Sequence, residues 1–242
     1  MDHLVWFLLL ALLAEILGTL GGFGSSMIFV PVAGLFLDFH SVLAVTALFH
    51  LASNITKIYA FKGGFDKRIV LLLGLPAVIF VTIGGLAAKW IDARTLEISI
   101  SVFLIVLSIL LLIFRNTKIK ATLFNSIAGG SLSGFLAGIF GTGGAVRGIT
   151  LAAFDLQKEV FIVTSAIIDL GVDSTRSAVY FFNGFVHKHD LYLVAYLLVI
   201  SIIGTYIGKY ILKFISENRF RSIVLLLTMM TGIFALGEML LK

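Results

Sequence analysis

The sequence predicts an all-α polytopic membrane protein made of two inverted pseudo-repeats. Each repeat holds four spanning helices plus a short re-entrant helix entered through a glycine break. Three observations carry this reading: the excess of apolar residues, a pair of glycine clusters at matching positions, and the distribution of charge between the apolar segments. Of 242 residues, 60% are hydrophobic and 13% charged, and mean hydropathy is +1.11. A soluble domain carries roughly 25% charged residues. Too little polar surface is present to wet a globule of this size, so a soluble enzyme is excluded. The apolar segments do not alternate with polar residues as lipid-facing β-strands do.

The apolar stretches are 4–20, 25–37, 41–61, 69–91, 95–114, 123–140, 145–154, 160–182, 191–214 and 223–241. Most reach the roughly 20 residues that a bilayer crossing needs. Two are short, and each follows a glycine cluster: Gly21-Gly22-Phe23-Gly24 and Gly141-Thr142-Gly143-Gly144. Each glycine costs a helix about 1 kcal/mol relative to alanine, so such a cluster ends one. The segment 25–37 would rise about 20 Å as a helix against a core of about 30 Å. It is expected to enter the membrane and return.

The halves, 1–120 and 121–242, repeat. Adding 120 maps Gly18, Gly21 and Gly24 onto Gly138, Gly141 and Gly144, and Ile83-Gly84 onto Ile203-Gly204. With returning short helices, one side of the membrane collects Lys62, Lys67, Arg68, Arg115, Lys118, Lys120, Lys158, Lys213, Arg219 and Arg221. The other keeps Lys89, Arg94, Lys188 and Lys242. Ten against four follows the positive-inside rule, whereas parallel repeats would leave eight against six. Five elements per half make the second half inverted, a secondary-transporter arrangement. Both termini are then expected outside a cell (inner) membrane. The positive charge orients the chain in the bilayer, and no nucleic acid is expected as a partner; a homodimer is a candidate assembly.

A glycine break followed by a helix start leaves backbone N–H groups free beside the positive end of the helix dipole, which suits an anion. Gly21, Gly22, Gly24, Ser25 and Ser26 at the first break, and Gly141, Gly143, Gly144 and Arg147 at the second, are therefore candidate substrate-binding residues. Two polar stripes add to them. Thr46, His50, Asn54 and Lys57 lie on one helical face, and adding 119 gives Ser165, Asp169, Asp173 and Arg176 with the same spacing. Ionisable groups inside a span are costly and usually face a protein interior or a wet path. Asn54, Lys57 and Arg176 are assigned to the substrate, and Glu15, His50, Asp169 and Asp173 to proton coupling. Glu15 lies mid-helix with no cation within a turn of it, so it is expected either to be unpaired or to meet Arg147 from elsewhere. Asp173 with Arg176 could alternatively form a structural pair, and Lys57 could reach toward its nearby loop. The chain has no cysteine, and no hydrolase, protease or nucleotide-binding motif occurs. His187-Lys188-His189 is read as a solvated loop. No metal and no cofactor is expected.

The pattern Gly18-x-x-Gly21-Gly22-x-Gly24-x-x-x-x-x-x-Pro31, followed by an apolar helix, resembles the first motif of the TauE/SafE sulfite-exporter family of membrane permeases. Gly138-x-x-Gly141-x-Gly143-Gly144 resembles its repeat, and the likeness runs from about residue 8 to 240. The chain departs from the pattern at Leu151, where the second half lacks the proline, and at Arg147, which places a charge beside the break. The resemblance implies transport of sulfite, a sulfonate or another small sulfur-containing or carboxylated anion. It also implies coupling to an ion gradient, carried by protons or alternatively sodium. A passive anion channel is the competing function, but fixed acids beside an anion path count against it unless they titrate. A membrane-embedded enzyme would need a nucleophile–base or metal cluster, and none is evident.

Overall fold

A computed structural model describes residues 2–22, 24–113, 120–214 and 233. The described residues form nine helices and no strand. They are α1 (Asp2–Gly21), α2 (Ser26–Ala33), α3 (Phe39–Ala60), α4 (Lys67–Ala88), α5 (Ala93–Ile113), α6 (Leu123–Phe140), α7 (Gly144–Ala152), α8 (Lys158–Asn183) and α9 (Leu191–Ile211). The expected last span, 223–241, lies outside the described residues except for Ile233, as do Arg115, Lys118, Arg219, Arg221 and Lys242 of the loop-charge argument.

Among the described residues, five helical segments are long and apolar enough to cross a membrane: His3–Gly21, Phe39–Ala60, Lys67–Ala88, Leu123–Phe140 and Lys188–Ile211. Helix α8 is the longest at 26 residues, but Asp169, Asp173 and Arg176 interrupt its apolar character. The two helices after the glycine breaks are short, α2 with 8 residues and α7 with 9. Gly141 ends α6 in the left-handed region at φ 74°, where a side chain is strained. Within α4, residues Val70–Gly74 widen into a π turn. Pro76 follows at once, and it has no N–H to return to the preceding turn, whose carbonyl its ring also crowds.

Burial runs opposite to that of a soluble protein. Trp6, Leu9 and Leu13 on α1, Leu75, Ile79, Ile83 and Leu86 on α4, and Tyr196, Val199, Ile203, Tyr206 and Tyr210 on α9 face outward. Glu15, Lys57, Arg147, Asp173 and Arg176 are buried. This is the distribution expected when lipid is the solvent. Phe29, Phe49 and Phe7 with Val42, Leu43, Leu96, Ile100 and Leu104 form the largest apolar cluster.

Close helix contacts rest on small residues, as association in lipid requires. Gly130, Gly134 and Gly138 on α6 lie directly against the backbone carbonyls of Leu73, Ala77 and Val81 on α4. Helix α1 packs in the same way on α9, through Gly204 against Glu15 and Gly208 against Thr19. Helix α4 packs on α6 and α8, α9 packs on α1 and α3, and α3 packs on α8. Gly84 meets Phe135 and Gly204 meets Glu15; adding 120 to 84 and to 15 gives 204 and 135.

Candidate functional site

The two short helices begin at one cavity. Its walls include Gly24, Ser25 and Ser26 at the start of α2, and Gly141, Gly143, Gly144 and Arg147 around the start of α7. His50, Asn54 and Lys57 of α3 and Asp169, Asp173 and Arg176 of α8 complete it. The free space is about 10 Å³, room for about one water molecule. Gly22 lines an adjoining cavity with Thr19, Lys57 and Ser165. Gly21 ends α1 and lines neither cavity.

Each cation here is held by an acid. Lys57 Nζ lies 3.0 Å from Glu15 Oε1. Arg147 grips Asp169 with both terminal nitrogens and donates through Nε to Ser165 Oγ at 3.2 Å. Arg176 Nε donates to Asp173 Oδ1 at 2.7 Å, and NH1 donates to the Gly141 carbonyl at 2.7 Å. Three cations and two acids thus line the cavity, and Glu15, paired with Lys57 behind its wall, balances the third cation.

The expectation that Glu15 is unpaired, or meets Arg147, is corrected. The partner is Lys57, which turns inward from α3 rather than toward its loop. The reason is the neighbourhood that α3 and α9 build around the carboxylate. Oε1 accepts from Thr19 at 3.1 Å, Ser53 at 2.5 Å and Thr205 at 3.1 Å, and Oε2 accepts from Ser25 at 2.7 Å. Lys57 also donates to Ser53 Oγ at 2.7 Å. Every neighbour donates: four of the five donors converge on Oε1 and share its two lone pairs, and Ser25 alone meets Oε2. Glycine at 204 lets α9 approach closely enough for the adjacent Thr205 to reach Glu15.

The amide expected from Gly141 is also engaged: its N–H donates to the Ala137 carbonyl at 3.0 Å. The Gly141 carbonyl in turn accepts from Arg176 NH1. At the starts of α2 and α7 the first amides have no partner within their own helix. Asp173 and Arg176 do pair, as the structural alternative has it, but the pair is tied further to Asn54 and Gly141.

Sequence reading missed Thr19, Ser53 and Thr205. Thr19 lies four residues after Glu15 and Ser53 four before Lys57, so helical spacing held the signal for those two. Thr205 belongs to a distant helix, and nothing local marks it.

Away from the cavity, His187 and His189 stack with ring centroids 5.3 Å apart at the turn before α9. The buried Ser41 hydroxyl bridges them to the fold, 2.7 Å from His187 Nδ1 and donating to Asp190 Oδ2 at 2.6 Å. At the start of α3, Asp38 accepts from the amides of His40 and Ser41. Burial pushes the Asp38 carboxyl up, but the Ser41 hydrogen bonds and the His187 and His40 charges outweigh it and hold the group below the usual carboxylate range.

Residues 7–235 match the family model described as Sulfite exporter TauE/SafE. No curated protein and no solved structure matches the chain.

Proposed function

The chain belongs to the sulfite exporter TauE/SafE family, and from that premise we propose that it is a proton-coupled secondary transporter of sulfite or a related small sulfur-containing anion. The observation that carries this reading is the ring of three ion pairs around one cavity, where two short helices begin. A bare anion cannot join a site whose cations are already matched, and the free space is close to one water. The anion must replace a carboxylate at its cation. Protonating that carboxylate makes the replacement cheap, so proton and anion favour each other's binding, and by linkage each does so equally. Lys57, Arg147 and Arg176, with the first amides of α2 and α7, receive the anion; Glu15 takes the coupling proton, with Asp169 and Asp173 the alternative acids.

Alternating access would follow from two inverted repeats rocking about this centre. That reading is supported by the like order of helix neighbours in the two halves, by the matched contacts Gly84–Phe135 and Gly204–Glu15, and by the position of Asn54 against Asp173. It puts the 114–123 linker in the cytoplasm and both termini outside.

Flux in proteoliposomes tests the function. An inward proton gradient is expected to accumulate sulfite above its external concentration. Large anion conductance without accumulation would make the protein a channel and end the reading. A thermal-shift screen over sulfite, thiosulfate, sulfoacetate, sulfate and small carboxylates identifies the anion, since a ligand stabilises by RT ln(1 + [L]/Kd).

A further inference from the structure

One hydrogen-bonded chain runs through the site from one half of the sequence to the other, and its directions are forced. Arg176 NH2 lies 3.3 Å from His50 Nδ1. A guanidinium has only donors, so Nδ1 must accept and carries no hydrogen. The neutral ring then holds its proton on Nε2, which lies 2.8 Å from Ser25 Oγ. Ser25 accepts there and donates onward to Glu15 Oε2 at 2.7 Å. Each link points the same way: Arg176 to His50, His50 to Ser25, Ser25 to Glu15.

Resting on the transporter reading above, we propose that His50 and Ser25 form a proton relay to Glu15, and that Arg176 is its gate. While Arg176 occupies Nδ1 the ring cannot take a proton from the cavity. When an incoming anion draws the guanidinium away, Nδ1 is exposed. A proton from the cavity adds at Nδ1, the Nε2 proton passes to Ser25 Oγ, and the Ser25 proton passes to Glu15 Oε2. One proton has then moved from the cavity to Glu15, and His50 is neutral again as the other tautomer. Neutral Glu15 no longer matches Lys57, whose ammonium becomes available to the anion. When the anion leaves, Arg176 returns to Nδ1, which it can do only if that nitrogen is bare, and the relay runs backward. Arg176 on His50 and a relayed proton on Glu15 exclude each other, and this exclusion couples the two substrates.

The surroundings of His50 fit a passing proton better than a stored one. It feels the charges of Arg176, Lys57 and Arg147, each balanced by Asp173, Glu15 or Asp169 in turn. On its other side the Phe49 ring lies 5.4 Å away. A hydrogen on Nδ1 would point at the Arg176 NH2 donor, so that nitrogen can take one only after Arg176 has moved off it.

Two measurements test the relay. Nitrogen NMR of the histidine-labelled full chain without ligand, with His50 assigned by its loss in His50→Gln, is expected to show a neutral ring protonated at Nε2. A ring protonated at Nδ1, or charged, overturns the proposal whether or not the protein transports sulfite. In proteoliposomes, the ratio of gradient-driven sulfite accumulation to sulfite exchange is expected to fall about 100-fold in His50→Gln and in Ser25→Ala, the scale of a lost proton-transfer group. Gln can donate to Ser25 but does not titrate, and the alanine methyl passes no proton. A wild-type ratio in either variant overturns the relay and leaves the transporter standing. Wild-type protein that moves no sulfite at all overturns the transport reading instead, and the NMR result then decides the relay.

Discussion

Asn54 donates through Nδ2 to Asp173 Oδ2 at 2.7 Å, both side chains being buried. The two residues stand at matching places on the polar stripes of α3 and α8, 119 positions apart. On the proposed inverted-repeat reading, counterparts that touch one another lie on the line about which the two halves exchange. The bond also supplies the Asp173 oxygen that Arg176 leaves free, so one carboxylate ties α3 to Arg176 on α8.

Exchanging the pair tests that relationship. Asn54→Asp sets two buried carboxylates against each other and should lower thermal stability; an unsatisfied buried group alone costs about 1–3 kcal/mol. Asn54→Asp combined with Asp173→Asn restores one donor and one acid and should recover most of the loss. Equal melting temperatures for the single and double variants would show that the bond is not felt.

Glu15 and Lys57 should prove similarly unequal alone and together. Lys57→Met leaves the Glu15 charge buried without its cation, which typically costs about 3–5 kcal/mol. Adding Glu15→Gln removes that charge, and the double variant should melt well above Lys57→Met. Glu15→Gln by itself mimics the protonated acid, so sulfite binding should lose its protein-derived pH dependence and gradient-driven accumulation should vanish. Accumulation retained by Glu15→Gln would move the coupling proton to Asp169 or Asp173.

Asp173→Asn/Arg176→Gln separates a structural pair from a binding one. The double variant removes both charges while keeping hydrogen-bonding side chains. It is expected to fold and to bind sulfite weakly in the thermal-shift assay. Wild-type affinity would take Arg176 out of the substrate site.

The Asp38 cap gives a pH-dependent prediction at the end of the molecule away from the cavity. Its carboxyl is held below the usual range in the folded protein. Such a group stabilises the fold above its unfolded pKa of about 3.9, and the contribution is lost as pH falls through the lower folded value. Between about pH 5 and pH 3 the wild type should lose more thermal stability than Asp38→Asn, whose amide caps the helix without a charge. Parallel curves would show that only the cap, and not its charge, contributes.

Topology can be read by labelling. Cysteines replacing the exposed Lys120 and the loop residue Lys188 in this cysteine-free chain are expected to react from opposite sides of the membrane. Labelling from one side would end the inverted arrangement.

By itself the sequence determined the class of protein, the nine described helices within a few residues, and nearly every side chain around the cavity. Those properties are local. Apolar length decides what enters the bilayer, glycine decides where a helix stops, and a helical face is set by spacing along one segment. Which charge meets which was decided only in three dimensions. Glu15 looks solitary along α1 because its cation, Lys57, sits on α3 and its fifth donor, Thr205, on α9. Arg147 could have served Glu15, but the contact of α7 with α8 gives it to Asp169. Pairing of this kind depends on helix separations, and these rest on glycines such as Gly204. A difference of one methyl group at such a position decides whether two helices come close enough for their charged groups to meet.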